Sequence, residues 1–218
     1  MRIVSKEGFG IIFGIILAAL VLTTGAVVLN STLLKISAVL VWIFVVFSFY
    51  FFRDPERIIP RNEDLILSAG DGKVVDIEEV FEDRYFHGQA RKISIFLSVF
   101  NVHINRIPIS GKVGYFEYKP GKFIQAFKPL ASTENEQTII GIENEKTKVI
   151  VKQIAGIIAR RIVCHIREGY SVKRGERFGM IKFGSRVDLI IPLDAEVLVK
   201  LGDKVKGGET AIAKIHPI

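Results

Sequence analysis

Two long uncharged apolar runs near the N-terminus constrain the fold of this chain more than any other feature. Phe9–Leu29 covers 21 residues and Ile36–Phe52 covers 17, with the short polar segment Asn30–Lys35 between them. About 20 apolar residues in a helix cross a bilayer, and both runs exceed the apolar core of a signal peptide. We predict a transmembrane helical hairpin within an anchor domain of residues 1–58. A buried hairpin in a soluble core is the alternative.

The basic residues around the two runs predict the orientation of the hairpin. Arg2 and Lys6 precede the first run, Lys35 is the only basic residue between the runs, and three arginines follow the second: Arg53, Arg57 and Arg61. Positively charged flanks stay on the cytoplasmic side. We therefore expect both ends, and the whole of residues 59–218, on the cytoplasmic face of the cell (inner) membrane.

Residues 59–218 have the pattern of a second, β-rich domain. Short alternating runs separated by Gly, Pro, Asp and Asn predict antiparallel strands, and they occur within 65–80, 92–104, 111–118 and 147–156. The polar stretch 130–146 is predicted to be a surface loop or hairpin tip. Residues 172–181 resemble 205–215, which indicates a repeated hammerhead-like hairpin. The fold class is α+β, mainly antiparallel, with a sandwich- or barrel-like domain over residues 59–218.

Charge and cysteine content limit the classes of partner. The net charge of +7 suits an anionic partner, either nucleic acid or anionic lipid. No helix-turn-helix, zinc-finger or RNA-recognition motif is present, so nucleic acid is not predicted. The single cysteine, Cys164, allows no intrachain disulfide. The four histidines lie in different segments, so no metal site is predicted.

Three places combine a reactive side chain with glycine or a strand end. Asp71 stands between two glycines, His103 lies near the end of an apolar run, and Gly184-Ser185-Arg186 interrupts another. Each has a purely structural alternative: an Asp-Gly turn, a buried histidine and a strand bulge. Together they supply an acid, an imidazole and a hydroxyl, the components of an activated nucleophile. Spacing alone does not show that they meet.

Four motifs in order resemble the phosphatidylserine decarboxylase proenzymes, most closely their short, pyruvoyl-dependent branch. They are FFRDPER (51–57), DGKV from Asp71, NVHINRIPISGKV (101–113) and RFGMIKFGSRVDLIIP (177–192). The resemblance extends over nearly the whole chain. It implies a zymogen that cuts itself between Gly184 and Ser185, giving a heterodimer of residues 1–184 and 185–218. A higher oligomer is left open.

The resemblance also implies the roles of the reactive residues. The Ser185 hydroxyl would attack the Gly184 carbonyl, with His103 as the base and Asp71 orienting that histidine. Ser185 would then become a covalent pyruvoyl group, the only cofactor implied. This ketone would condense with the amine of phosphatidylserine, accept the electrons left by CO2, and so yield phosphatidylethanolamine. The group that protonates the resulting carbanion is left open between His103, His165 and a water molecule.

The choice of lipid is less constrained than the chemistry. Arg186, Arg160 and Arg161 are candidates for binding the phosphate or carboxylate of the substrate, because a guanidinium binds such groups at two points. A solvated basic surface near anionic lipid is the alternative for the same residues.

The same chemistry on archaetidylserine is an alternative function. A non-enzymatic, membrane-anchored β-module of the adaptor type is another, and it predicts an intact chain.

Overall fold

The computed structural model describes residues 4–126, 128, 130–156, 162–182 and 184–215. The chain divides into two compact units, Met1–Glu56 and Arg57–Ile218. Each unit is considered by itself below.

The first unit contains two helices, α1 (Lys6–Val28) and α2 (Thr32–Phe51). Both begin a few residues before the uncharged runs, since their first turns accommodate charged side chains such as Lys6 and Lys35. Their mean hydropathies of 2.7 and 2.2 and their lengths suit a membrane crossing. Most of their large apolar side chains are exposed, which does not fit the alternative of a buried core hairpin.

The second unit is built from fourteen strands and one short helix among the described residues. Along the chain they are β1 (Leu65–Leu67), β2 (Gly72–Glu82), β3 (Gly88–Leu97), β4 (Ile104–Arg106), β5 (Gly111–Lys119), α3 (Ala131–Glu134), β6 (Gln137–Glu143), β7 (Lys148–Ile154), β8 (Ile162–Cys164), β9 (Ser171–Val172), β10 (Arg177–Ile181), β11 (Ser185–Ile191), β12 (Glu196–Val197), β13 (Lys204–Val205) and β14 (Ala211–Lys214).

These strands form three sheets, and every strand pair described is antiparallel. The largest is a curled half-barrel in the order β13-β2-β3-β11-β7-β6-β5-β9. Two three-stranded sheets have the orders β4-β10-β8 and β1-β14-β12. The predicted α+β class, with a barrel-like antiparallel domain behind two apolar helices, is confirmed.

The main core lies on one face of the large sheet. Side chains alternate between the two faces of a strand, and in β11 the core face carries Val187, Leu189 and Ile191. Ile95 and Leu97 of β3 pack in the same fully buried cluster. Ser185, two residues before Val187, therefore points toward this core, whereas Arg186 points to the other face.

The prediction of a surface loop or hairpin tip over 130–146 is wrong for most of the stretch. It is right only at its end, where residues 144–146 form the exposed turn between β6 and β7. After α3, the stretch enters β6, which lies between β5 and β7 and is buried over six of its seven residues. Three isoleucines, Ile139, Ile140 and Ile142, fill core positions. The polar residues that suggested a loop, such as Asn135 and Gln137, are instead buried and hydrogen-bonded. The polar composition of residues 130–146 therefore did not predict how exposed these residues are.

The repeated motif forms two strand–turn–strand units whose strands belong to different sheets. Gly175 and Gly208 occupy the turns with φ values of 78° and 77°, a region that favours glycine. The two turns pack together, since a Cβ atom added at Gly208 would lie 3.5 Å from the Cα of Gly175. The hammerhead-like units thus tie the smaller sheets to the large one.

Candidate active site

One end of the large sheet gathers the reactive residues. Residues paired across six successive strands form a continuous line, which we call the transverse row: Lys73, Phe96, Arg186, Ile154, Gln137 and Lys119. Asp71, Ser185 and the segment 98–103 that leads to His103 all lie just beyond this row. Strands are about 4.8 Å apart, so the topology brings together residues that are far apart in sequence.

The break in the RFGMIKFGSRVDLIIP motif is a change of sheet. β10 ends at Ile181 in the small β4-β10-β8 sheet, and β11 begins at Ser185 in the large sheet, opposite Leu97. The sequence predicted one interrupted strand, and the structure has two. Between Ile181 and Ser185 the chain passes from one sheet to the other, which places the Gly184–Ser185 peptide bond between them.

Ser185 is fully buried, and its hydroxyl has no hydrogen-bond partner among the described residues. A buried hydroxyl left in this state costs about 1–3 kcal/mol, so native structures rarely keep one without a functional reason. The side chain is therefore available to react rather than committed to the fold.

Gly184, which precedes Ser185, has a backbone conformation that residues other than glycine rarely adopt. Its φ is 28°, in the region that favours glycine. Its carbonyl oxygen lies against Gly156, two residues after the end of β7, so closely that a Cβ atom at 156 would overlap that oxygen. The carbonyl next to Ser185 is thus fixed by a second glycine, which lies just beyond the end of the neighbouring strand β7.

His103 reaches the same region from the small sheet. It directly precedes β4, and its carbonyl accepts a 3.3 Å hydrogen bond from the backbone N–H of Ile181, the last residue of β10. The ring is buried, and Nδ1 lies 3.0 Å from the carbonyl oxygen of Asn101. Because a carbonyl can only accept, Nδ1 carries the proton in the neutral ring and Nε2 is the basic nitrogen.

Asp71 is held by a positive charge and a backbone donor. Arg57 Nη2 donates to both carboxylate oxygens at 3.0 and 2.8 Å, and the Gly207 N–H donates at 2.8 Å. Both side chains of the ion pair are nearly buried, at 6% and 14% exposure. Such contacts stabilise the ionised carboxylate. Asp71 therefore contributes a fixed negative charge at the start of β2.

Comparison with known proteins identifies the family of this chain. The sequence profile described as "Phosphatidylserine decarboxylase" matches residues 44–213. The phosphatidylserine decarboxylase proenzyme of Wolbachia sp. subsp. Brugia malayi (strain TRS) is 55% identical over 172 residues, 77% of this chain and 75% of the relative. That of Cytophaga hutchinsonii is 50% identical over 192 residues, 88% and 86% of the two chains. The chain belongs to the phosphatidylserine decarboxylase family. It is therefore an enzyme of a lyase family whose members are made as proenzymes.

Within this decarboxylase fold, Arg186 is already engaged by another residue. Its Nε and Nη2 atoms lie 2.8 and 2.9 Å from the two carboxylate oxygens of Asp188, and Nη1 donates to the Ala126 carbonyl at 3.3 Å. Both residues of the pair are buried on the face opposite Ser185. Substrate binding by Arg186 stays a prediction. Arg160 and Arg161, the other two candidates, lie outside the described residues.

Two further observations bear on the chemistry that a family member needs. Among the described residues, no group of three or more His, Cys, Asp or Glu side chains is arranged to hold a metal ion. Burial raises the pKa of the Cys164 thiol, and its Sγ lies 3.6 Å from the Ile166 carbonyl oxygen. The only cysteine is therefore a poor nucleophile at neutral pH.

Sequence reasoning missed three elements of the site. Gly156 gave no signal of its own, because its role depends on Gly184, 28 positions later. Arg57 served only to predict the orientation of the helical hairpin in the membrane, although it lies in the FFRDPER motif and binds Asp71. The third is a buried amide pair in which Gln153 Nε2 donates to Asn105 Oδ1 at 2.8 Å. Asn105 is two residues after His103, so the NVHINR motif supplied a signal for it.

Proposed function

We propose that this chain is a phosphatidylserine decarboxylase that matures by cutting itself between Gly184 and Ser185. The observation that carries the proposal is a buried Ser185 hydroxyl with no hydrogen-bond partner among the described residues, next to a Gly184 carbonyl held against Gly156. Family membership supports the reaction class and the proenzyme state. The products of turnover are phosphatidylethanolamine and CO2.

Cleavage starts with an acyl shift between neighbouring atoms. Ser185 Oγ attacks the Gly184 carbonyl carbon and loses its proton to His103. The bond from that carbon to the Ser185 nitrogen then breaks, and the nitrogen takes up the proton, which leaves an ester. Removal of the Ser185 Cα proton expels the Gly184 carboxylate and gives dehydroalanine. One water then replaces the nitrogen, so ammonia leaves and a pyruvoyl group caps residues 185–218.

His103 and Asp71 make the hydroxyl reactive. A serine hydroxyl is a weak nucleophile without a base, and His103 Nε2 is the basic nitrogen of the neutral ring because Asn101 accepts from Nδ1. The fixed charge of Asp71 stabilises the imidazolium that forms. Arg57 and the Gly207 N–H keep that carboxylate ionised and in place.

The pyruvoyl group formed from Ser185 supplies a carbonyl that takes up electrons as the carboxylate departs. The side chains that line its position fit this role, since Ser185 is shielded from solvent and faces the apolar core. A water-poor environment strengthens the electrostatic interactions on which such chemistry depends. The processed enzyme is a heterodimer of residues 1–184 and 185–218.

The proposal assigns residues 1–58 to the membrane anchor and residues 59–218 to the catalytic domain on the cytoplasmic side. The apolar helices α1 and α2 support membrane association, and the distribution of basic residues supports the side. The substrate is then a lipid of the membrane in which the enzyme is anchored.

A decarboxylation assay tests the function directly. Purified protein in vesicles receives phosphatidylserine labelled in its carboxyl carbon, and both labelled CO2 and phosphatidylethanolamine are measured. Ser185→Ala is the control, since it lacks the hydroxyl from which the pyruvoyl group forms. Label release by the wild-type protein alone supports the proposal. No release from either ester- or ether-linked serine lipid would contradict it.

A further inference from the structure

Two exposed aromatic side chains border the candidate active site. Phe100 is 64% exposed and lies three residues before His103, whereas Phe123 is 38% exposed and lies three residues before Ala126. Ala126 reaches the cleavage site, because a Cβ atom added at Gly156 would lie 3.3 Å from the Ala126 Cβ. Both phenylalanines are on segments that extend beyond the transverse row, at the same end of the sheet.

The turn that carries Phe100 is held in place by its own side chains. The Asn101 Oδ1 atom accepts hydrogen bonds from the Ser98 N–H at 2.9 Å and the Ser98 hydroxyl at 2.7 Å. The Asn101 N–H donates to the Ser98 carbonyl at 2.9 Å. A closed turn of this kind fixes the direction of the residue between its ends. Phe100 is therefore presented outward by a defined backbone.

The segment that carries Phe123 is held as firmly, by one buried residue. The Asn135 side chain accepts from the Ile124 N–H at 2.9 Å and donates to the Ile124 carbonyl at 2.7 Å. The same amide donates to the Ala155 carbonyl at 2.7 Å, next to Gly156. Asn135 thus clamps the backbone beside Phe123 onto the strand end at the cleavage site.

The charge around Phe123 is positive. Lys122 and Lys128 are exposed in the same segment, and Lys119 ends β5 beside it. From Lys119 to Thr133 the sequence contains no acidic residue; Glu134, which follows, pairs with Lys122. Exposed aromatic side chains next to lysines match the interface of an anionic bilayer, where the ring enters the boundary region and the ammonium groups meet lipid head groups.

We propose that Phe100 and Phe123 form a membrane-contact surface of the catalytic unit, which meets an anionic bilayer at the candidate active site. This inference rests on the proposed function for its purpose, because a lipid substrate must reach Ser185 from a bilayer. Contact at these two positions lets the head group approach the site while the acyl chains stay in the membrane. Full extraction would expose dozens of apolar CH2 groups to water, which is strongly unfavourable.

Tryptophan fluorescence in the full-length protein tests the contact without using activity. Trp42, the only tryptophan, is first replaced in Trp42→Phe. Phe100→Trp and Phe123→Trp are then compared, one at a time, in vesicles with and without lipids brominated on the acyl chains. Phe81→Trp is the matched control, because Phe81 is 67% exposed and lies nine residues along β2 from Gly72, toward the other end of that strand.

We expect bromolipid to quench the tryptophans at 100 and 123 by about half or more, because interfacial side chains lie roughly 5–10 Å into the boundary region. The tryptophan at 81 should keep its emission. Quenching at 123 should weaken in purely zwitterionic vesicles. Equal quenching at all three positions, or none at 100 and 123, would overturn the contact surface, and lipid-independent burial at 100 and 123 would indicate a protein partner instead.

A kinetic comparison tests whether the membrane-contact surface contributes to turnover of bilayer substrate. The double variant Phe100→Ser/Phe123→Ser should lose about tenfold or more in turnover of bilayer substrate, since two interfacial anchors are removed. Turnover of a short-chain, water-soluble phosphatidylserine should stay within about twofold. Equal loss on both substrates would overturn the inference. An inactive wild-type protein would refute the proposed function, whereas the fluorescence result would still decide the contact surface.

Discussion

The carbonyl oxygen of Gly184 lies directly against the backbone of Gly156, and no side chain could stand between them. Gly156 lies two residues after the end of β7, and Gly184 precedes the first residue of β11, the strand paired with β7. The peptide bond proposed to break is therefore positioned by a residue 28 positions earlier. In this arrangement Gly156 is a positioning residue for cleavage.

Gly156→Ala should slow self-cleavage by about 100-fold or more, because displacement of reacting atoms by about 1 Å costs that much. The added methyl group would push the Gly184 carbonyl away from its present position. Gly184 has room to move, since a Cβ atom added at Gly184 itself would meet open space. The fraction of uncut chain over time, on a denaturing gel, measures the effect.

The matched control is Gly88→Ala at the start of β3, where an added Cβ meets no atom within 4 Å. It should cut at the wild-type rate. Thermal unfolding of Gly156→Ala in a Ser185→Ala background separates positioning from folding, since neither chain is cut. Normal cleavage by Gly156→Ala, or a loss that follows only from unfolding, would contradict the positioning role.

His103→Ala should reduce the rate of cleavage by about 10⁴-fold, the loss seen when a catalytic imidazole cannot act. Asp71→Asn should have a smaller effect, because Asn101 already sets the tautomer of the ring. His165→Ala is the control, since this histidine is exposed whereas His103 is buried. Rate constants for the appearance of the two fragments measure all three. Equal rates in His103→Ala and His165→Ala would mean that another group activates the hydroxyl.

Asp188→Asn should destabilise the uncut Ser185→Ala protein by about 3–5 kcal/mol, because it leaves the buried Arg186 guanidinium without its counter-charge. Chemical denaturation gives the free energy of unfolding. Glu79→Gln breaks an exposed ion pair with Arg91 and should cost at most about 1 kcal/mol. Similar small losses in both variants would show that Arg186 does not depend on Asp188, and would leave it free for substrate.

Lys152→Met should stabilise the same uncut protein at pH 7, and the gain should shrink as the pH rises. Burial lowers the pKa of Lys152, although Asp188, its partner in the sheet register, opposes the shift. The folded state therefore binds this proton less tightly than the unfolded state, and stability rises with pH between the lowered pKa and the ordinary lysine value. Denaturation at pH 7 and about pH 10 checks the sign. A gain independent of pH would contradict a charge effect.

How far the sequence predicts this molecule depends on the distance over which each feature acts. Phe9–Leu29 and Ile36–Phe52 predicted two helices because length and apolarity are local properties. The stretch 130–146 misled because burial of β6 depends on its neighbours β5 and β7, which a local window does not contain. Polar residues such as Asn135 are satisfied by backbone groups that only the fold brings to them.

The candidate site divides in the same way. Ser185, His103 and Asp71 were predicted from motifs, and all three lie beyond the transverse row at one end of the sheet. Arg186 was favoured because it adjoins Ser185. Adjacent side chains in a strand point to opposite faces of the sheet, so this adjacency was a reason to expect Arg186 and Ser185 in different pockets. Gly156 and the Arg57–Asp71 pair were beyond local reasoning, because each joins segments that meet only after folding.

The intact mass of the purified wild-type protein tests the central claim most directly, with Ser185→Ala measured beside it. Cleavage at Gly184–Ser185 predicts two chains, residues 1–184 and residues 185–218. The smaller chain has 34 of the 218 residues of a 24.4 kDa protein, about 4 kDa, and its N-terminus is blocked to Edman degradation. Ser185→Ala should remain a single, inactive chain. A wild-type protein that is whole and decarboxylates phosphatidylserine would contradict the account.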